Sequence, residues 1–585
     1  MDEKPSNNAE PQSTATEADV EKAVAPQPSA QHEAEDEFPS GVKVLIIMLA
    51  VWLSMFLVAL DRTILGTAIP KITDDFHSIN DVGWYASSYL LTSCAFQLIY
   101  GRIYTFYSPK WVLLWAIGLF ELGSTVCGAA PNSKAFIVGR AIAGLGSAGI
   151  FSGAINIMVI TIPLHKRPMY QGAFGAIFGI ASVCGPLVGG AFTTKVSWRW
   201  CFYINLPIGA VVVAVILFVL ESKPSKNTET LKQQIMKLDP FGTIVFLPGI
   251  VCLLLALQWG GTTYPWSNAR IIVLFILAGL LLTIFIFIQI RSGDNATVPT
   301  HIIKQRSVAA GAYFSVASPG SMMVMIYYLP LWFQAIKGVS AVHSGIDTLP
   351  LVISLVVASI FAGALTAKTG YYVGQLIASC VIMSVGAGLL TTLKVGTEHS
   401  HWIAYQFVYG FGLGLGMQQA GMAAQTCLAK KDVMTGVAIM FFFQGLGGAI
   451  FVSISQTIFT SSLIKYLGGF QGITPQMIVH TGATELRNLV PAQYLDLVLV
   501  AYNRALSDVF KVGLACACAT IVAGLTMEWK SIKGLKQGGP QPPVDTESGV
   551  LEKREGCQED GTVTDTETVV GGDSPPMTAV EARDK

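Results

Sequence analysis

The chain has 585 residues, 52% of them hydrophobic and only 13% charged, and its formal net charge is zero. A soluble domain carries about 25% charged residues, so most of this surface must face something other than water. The balanced charge gives no electrostatic footprint for a nucleic-acid partner.

Residues 1–42 are polar, acidic and rich in Ala, Pro and Ser; they cannot build a core and are expected to be a disordered cytoplasmic tail rather than a signal peptide. Apolar runs then follow almost without pause at 43–67, 83–103, 110–130, 136–158, 170–192, 200–220, 240–259, 270–290, 309–335, 345–367, 372–393, 401–424, 436–458 and 508–527. Each is long enough for a helix across a hydrocarbon layer of about 30 Å, and far longer than a β-barrel strand. Fourteen spans put both ends of the chain on one side. With that side cytoplasmic, the internal loops carry about twice the Lys and Arg of the external ones, as the positive-inside rule requires. Residues 459–507 form a long external loop, and its second half, from Pro491 through Tyr502 to Leu506, reads as an amphipathic helix running into the last span; it is expected to lie at the outer membrane surface, with a re-entrant segment as the alternative. Residues 530–585 form a second polar cytoplasmic tail. The cysteines lie mostly in apolar runs without metal-ligand spacing to histidine, so packing is their expected role, and no metal site is expected.

The chain contains an internal echo. Span 4 carries Gly139, Gly144, Gly146 and Gly149; span 12 carries Gly410, Gly412, Gly414 and Gly416. The connection after span 2 opens Gly101-Arg102, and that after span 10 opens at Gly363; both are short and carry a cation. These match as two six-span halves if spans 7 and 8 are an insertion. The domain reading is therefore a six-helix bundle at 43–220, a linker with two extra spans at 221–308, and a second six-helix bundle at 309–529.

On these features, together with Leu60-Asp-Arg-Thr-Ile-Leu-Gly-Thr-Ala-Ile-Pro70, Gly139-Arg-Ala-Ile-Ala-Gly144, Gly185-Pro-Leu-Val-Gly-Gly190, Trp198-Arg-Trp-Cys-Phe-Tyr-Ile-Asn-Leu-Pro-Ile-Gly209, Tyr327-Tyr-Leu-Pro330 and Ser344-Gly-Ile-Asp-Thr-Leu-Pro350, the sequence resembles the fourteen-span drug:proton antiporter branch of the major facilitator superfamily, in particular fungal toxin and multidrug efflux pumps of the aflatoxin-exporter type. The resemblance implies an all-α polytopic fold and alternating access. It also implies export of small amphipathic organic molecules driven by a proton gradient, with no bound cofactor.

It assigns an antiporter motif in span 5 to Gly172, Ala181, Gly185, Pro186, Gly189 and Gly190, with alanine in place of the usual second glycine. Small residues at helical spacing make a flat face for close packing, and Pro186 permits a bend; the expected role is a gasket between the halves. The gating motif falls on loop 101–110, where Gly101 and Arg102 stand but the usual further charges are replaced by Thr105, Phe106, Ser108 and Pro109. The charge relay of that loop is thus missing, and Gly101 and Arg102 are expected to shape the turn.

Charges within a membrane cost about 2.5–3.5 kcal/mol each and are functional candidates. Asp61 and Arg140 lie equally far from the cytoplasmic ends of spans 1 and 4, hence at one depth, and in the implied fold both helices line the cavity. They form the expected proton-coupling pair, the alternative being a permanent structural salt bridge. Glu121 in span 3 is the second candidate. Tyr328, Gln334, Gln418 and Gln419 are the expected polar contacts of the substrate cavity, and Asn205 is expected to be structural. The expected partners are a small amphipathic substrate, protons and the lipid bilayer, with the chain a monomer in the plasma membrane or the vacuolar membrane. A proton symporter importing siderophores and a transport-inactive sensor on the same fold are the alternatives. Nothing in the sequence supports an enzyme: no phosphate-binding loop, nucleophile elbow or helical histidine pair occurs.

Overall fold

The computed structural model describes residues 39, 41–78, 81–221, 234, 236–261, 263–467 and 492–533. Nearly all of the predicted N-terminal tail, most of the C-terminal tail and the middle of loop 459–507 lie outside the described residues. Among the described residues the fold is all α-helix, with only two isolated β-bridges.

Fourteen helical segments follow the fourteen predicted spans: α1 (Val42–Phe76), α2 (Val82–Phe106), α3 (Pro109–Ala129), α4 (Ser133–Thr161), α5 (Arg167–Lys195), α6 (Trp200–Val219), α7 (Pro240–Trp259), α8 (Ala269–Ser292), α9 (Arg306–Trp332), α10 (Leu349–Thr369), α11 (Val373–Thr391), α12 (His399–Gly416, resuming at Gln419–Cys427), α13 (Val433–Leu467) and α14 (Ala492–Thr526). Among the described residues, twelve helices are long and apolar enough to cross a membrane. The two that fall short, α2 and α12, are diluted by residues such as Ser88, Ser93 and Gln97 in α2 and Gln406 in α12, all buried within the bundle. Proline at the first or second position starts α3, α5, α7 and α10, where its missing N–H costs nothing. The Asn132 side chain caps α4 by accepting from Ala135 N at 2.9 Å.

The glycines of α4 and α12 reveal the duplication in space. Gly144 packs on Tyr89 and Thr92 of α2, and Gly146 on Ala116 and Phe120 of α3. Gly410 packs on Leu351 of α10, and Gly412 on Met383 of α11. The fourth helix of each six-helix half thus lies backbone-close to that half's second and third helices, at distances that leave no room for a Cβ.

The extra pair α7–α8 is clamped by one buried carboxylate. Asp239 caps α7 by accepting from Gly242 N at 2.9 Å, and it also accepts from Gln289 of α8 at 2.6 Å and from the Thr297 N–H and hydroxyl at 3.0 and 2.9 Å. α7 leans on both halves, through Trp84–Trp259 to α2 and Phe246–Phe442 to α13.

Two expectations fail. The segment before the last span is not a surface helix: it is the first part of α14, a single helix about 50 Å long at 1.5 Å per residue. Its polar residues are consumed by the bundle. Asn503 accepts from Trp332 Nε1 at 2.7 Å and donates to Leu393 O, and Ser507 donates to Thr391 O at 2.8 Å. Nor is 101–110 a loop, because α2 runs helically to Phe106 and α3 begins at Pro109. Gly101 and Arg102 therefore shape no turn.

Candidate transport site

Asp61 on α1 and Arg140 on α4 meet inside the first half. Arg140 Nη1 donates to Asp61 Oδ2 at 2.6 Å, with the two side chains 2% and 0% exposed. Arg140 Nε donates to Tyr85 O at 3.0 Å, and its guanidinium lies 4.5 Å from the Tyr89 ring centroid. The carbonyl and the ring fix the guanidinium from the α2 side, so the pair is oriented by three helices. Arg62, next in sequence to Asp61, turns away from it. It donates to Ser93 at 3.4 Å and stacks on Tyr89 and Phe151 at 5.3 and 5.2 Å.

Asn205, at the start of α6, extends the pair. Its Nδ2 donates to Ser124 Oγ of α3 at 3.1 Å and reaches Asp61 Oδ1 at 3.5 Å, while its own Oδ1 is buried without a partner. The residue expected to be merely structural thus touches the ion pair; its only sequence signal was its place in the Trp198–Gly209 motif. Glu121 lies one turn before Ser124 on α3. Its carboxyl rests against Gly209 of α6, with both oxygens buried and neither hydrogen-bonded among the described residues. It is not in the ion pair.

The small-residue face of α5 serves two neighbours. Gly172 lies against Ser359 O of α10, where a Cβ would stand 2.8 Å away, and Gly175 and Gly179 continue that contact on Ser359 and Val356. Gly363 of α10 returns it by resting on the Pro168 carbonyl. Further along, Gly185 and Gly189 turn to Thr63, Ile64 and Thr67 of α1, and Ala181 O accepts from Thr63 at 2.9 Å. Gly190 meets nothing within 4 Å. Pro186 lies within the unbroken helix. Only the first turns of the motif lie between the halves; the rest binds α5 to α1 within one half. The contact of α5 with the other half is therefore made by Gly172 to Gly179, not by the Gly185–Gly190 stretch. A second cross-half contact comes from Gly101, packed on Ala438 and Met434 of α13. Arg102 donates to Lys237 O at 3.0 Å, tying the end of α2 to the segment before α7.

A narrow cavity opens between the halves. Gln171, Phe151 and Phe178 line it from the first half; Gln418, Gln425, Gln444 and Phe441 line it from the second. It meets α12 where that helix is interrupted, at Met417 and Gln418, the placement expected of a discontinuous helix at a transport site. Of the four predicted contacts only Gln418 lines it. Gln419 is buried and donates to Leu415 O at 3.1 Å; Tyr328 is buried and donates to Gln456 at 2.9 Å; Gln334 donates to Ser344 at 3.0 Å. Gln171, Gln425 and Gln444 escaped the sequence reading, because a lone Gln in an apolar run does not disclose which helix face it occupies.

Two six-helix halves with a buried ion pair in one and a cavity between them define a multi-pass membrane transporter, and the chain belongs to the Major Facilitator Superfamily, whose sequence pattern matches residues 51–452. It is 55% identical over 500 residues to an MFS-type efflux pump of Arthroderma benhamiae, spanning 85% of this chain and 93% of the relative. It is 52% identical over 498 residues to the efflux pump aflT of Aspergillus parasiticus, spanning 84% and 97%. Over 500 residues it is 51% identical to the rubrofusarin-specific efflux pump aurT of Gibberella zeae, spanning 86% and 92%. The crystal structure of the human organic anion transporter MFSD10 matches with a TM-score of 0.53 at 13% identity, covering 82% of this chain and 100% of that one, a likeness of fold alone.

Proposed function

We propose that this chain is a proton-coupled antiporter that exports small amphipathic organic molecules by alternating access. The observation that carries the reading is the apolar cavity built from both halves, because a rocking motion of one half against the other changes which face it opens to. The relatives' names as efflux pumps support the outward direction.

Coupling is assigned to Asp61. A carboxylate paired with Arg140 in a dry site holds the α1–α4 contact by charge; a proton on Asp61 removes that charge and leaves Arg140 to Tyr85 O and the aromatic rings. Glu121, buried with no donor among the described residues, is the alternative proton acceptor to Asp61. No cofactor enters; the gradient is the energy source. The end of the bundle that gathers Lys43 with Glu221, Lys110 with Leu217 O and Arg306 with Thr526 O is the cytoplasmic end, in keeping with the positive-inside rule. The protein works as a monomer in the plasma membrane.

The test is the purified chain in proteoliposomes with an imposed pH gradient and a fluorescent amphipath. Gradient-driven movement of the dye against protons is expected, and its loss in Asp61→Asn. Movement of dye together with protons would instead make the protein a symporter; full activity of Asp61→Asn would remove Asp61 from the coupling.

A further inference from the structure

We infer that Gln171 and Gln425 are the polar recognition point of the cavity, and that they select an uncharged aromatic molecule carrying both a hydrogen-bond donor and an acceptor, such as a phenolic hydroxyl and a carbonyl at separate positions of one ring system. This deepens the proposed function, since it rests on the cavity being where the exported molecule sits.

The chemistry follows from what the cavity offers. Gln171 and Gln425 are each only 2% exposed. Gln171 Oε1 and both Gln425 Oε1 and Nε2 are buried with no partner among the described residues. Buried amides are nearly always paired, and one left unpaired is costly, so two such groups lining one cavity from opposite halves are complementary to a ligand rather than to each other. Together they present acceptors and a donor, the complement of a hydroxyl and a carbonyl. They come from α5 and α12, hence from opposite halves, so one molecule bridging them senses the relative position of the halves.

The rest of the lining narrows the class. Among the described residues no Asp, Glu, Lys, Arg or His lies on it, so a charged substrate would lose its hydration without compensation. Phe151 stacks on Phe178 at 5.9 Å and lies 5.7 Å from Phe441 of the other half, which makes an aromatic wall with methionine sulfurs beside it. Flat, polarizable rings suit such a wall. Asp61 and Arg140 are not on the lining, so proton and substrate are bound at separate places.

The probes are anthraquinone, 2-hydroxyanthraquinone at a pH that keeps it neutral, and anthraquinone-2-sulfonate, titrated into the detergent-purified full-length protein and followed by tryptophan fluorescence. The hydroxylated probe is expected to bind about tenfold or more tighter than the parent, because a site built to hydrogen-bond discriminates against a ligand that leaves its groups unmade. The sulfonate is expected not to bind. Gln171→Leu and Gln425→Leu should each bring the ratio of the two neutral probes close to one without weakening anthraquinone itself. Gln171→Met and Gln425→Met serve the same purpose should leucine disturb the fold. Retention of the preference in all four variants, equal binding of the sulfonate, or binding of none of the probes overturns the inference. Selective binding without gradient-driven movement would overturn the antiport reading and leave this one standing.

Discussion

Phe151 stands between the cavity and the ion pair. Its ring lines the cavity, and the Arg62 guanidinium carbon lies 5.2 Å from its centroid. Arg62 also faces Tyr89 at 5.3 Å, and Tyr89 faces Arg140 at 4.5 Å. A packed chain of rings and guanidiniums therefore joins the cavity wall to the Asp61–Arg140 pair, each contact worth about 0.5–2 kcal/mol. A substrate that shifts Phe151 changes the surroundings of Arg62 first.

If that chain carries the coupling, Phe151→Ala will separate binding from proton release. Purified wild-type protein is expected to release protons when substrate is added, read with a pH-sensitive dye. Phe151→Ala should release severalfold less at saturating substrate. Phe174→Ala is the matched control, since Phe174 lines the same cavity but faces no guanidinium. Equal release from the Phe151 and Phe174 variants would break the proposed path.

The Asp61–Arg140 pair is directional, and exchanging its members should not restore it. Arg140 Nε donates to Tyr85 O at 3.0 Å, so an Asp at position 140 would set a carboxylate against a carbonyl. Removing one partner of a buried pair costs about 3–5 kcal/mol, and the Asp61→Arg/Arg140→Asp exchange is expected to be as unstable as either single variant by thermal unfolding. Arg140→Lys keeps the charge but loses the fork that reaches both partners, and should lose most gradient-driven transport. A functional exchange variant would mean that only the charges matter.

Around α5 the structure separates small residues that tolerate a larger side chain from those that do not. Gly363 rests on the Pro168 carbonyl across the halves, whereas Gly190 has nothing within 4 Å. Gly363→Val should push the start of α5 and the end of α10 apart, lengthening a spin-label distance between positions 166 and 368 and lowering transport severalfold. Gly190→Ala should change stability by less than about 0.5 kcal/mol and leave transport intact. An unaltered label distance in Gly363→Val would show that this contact does not hold the halves together.

What the sequence disclosed and what it withheld have one physical source. Span length and loop charge record hydrophobic thickness and topology, so the helices and the common depth of Asp61 and Arg140 were legible. The direction of a side chain around its helix was not. Gln418 and Gln419 differ by one residue, about 100° of rotation, and only Gln418 reaches the cavity while Gln419 bonds Leu415 O. The same blindness misread α14: Asn503 reads as part of an amphipathic surface helix, yet it accepts from Trp332 and donates to Leu393 O inside the bundle. The α5 motif was legible as a flat face, but not which neighbour each glycine serves.

Asn205 offers the sharpest test of whether the site needs a carboxylate at Asp61 itself or only beside Arg140. Its amide nitrogen stands 3.5 Å from Asp61 Oδ1, and Asn and Asp have nearly the same shape. Asn205→Asp alone puts two carboxylates beside one guanidinium, with a repulsion of roughly 4 kcal/mol at an effective dielectric of about 20, and is expected to lose both stability and transport. Combined with Asp61→Asn, the same change merely moves the carboxylate across the gap and lets the new amide at 61 face it. The double variant is therefore expected to recover thermal stability relative to Asn205→Asp, together with a measurable part of the gradient-driven efflux that Asp61→Asn lacks. Recovery of stability without any efflux would mean that the carboxylate must ride on α1, where Arg62 and the Phe151 wall can act on it.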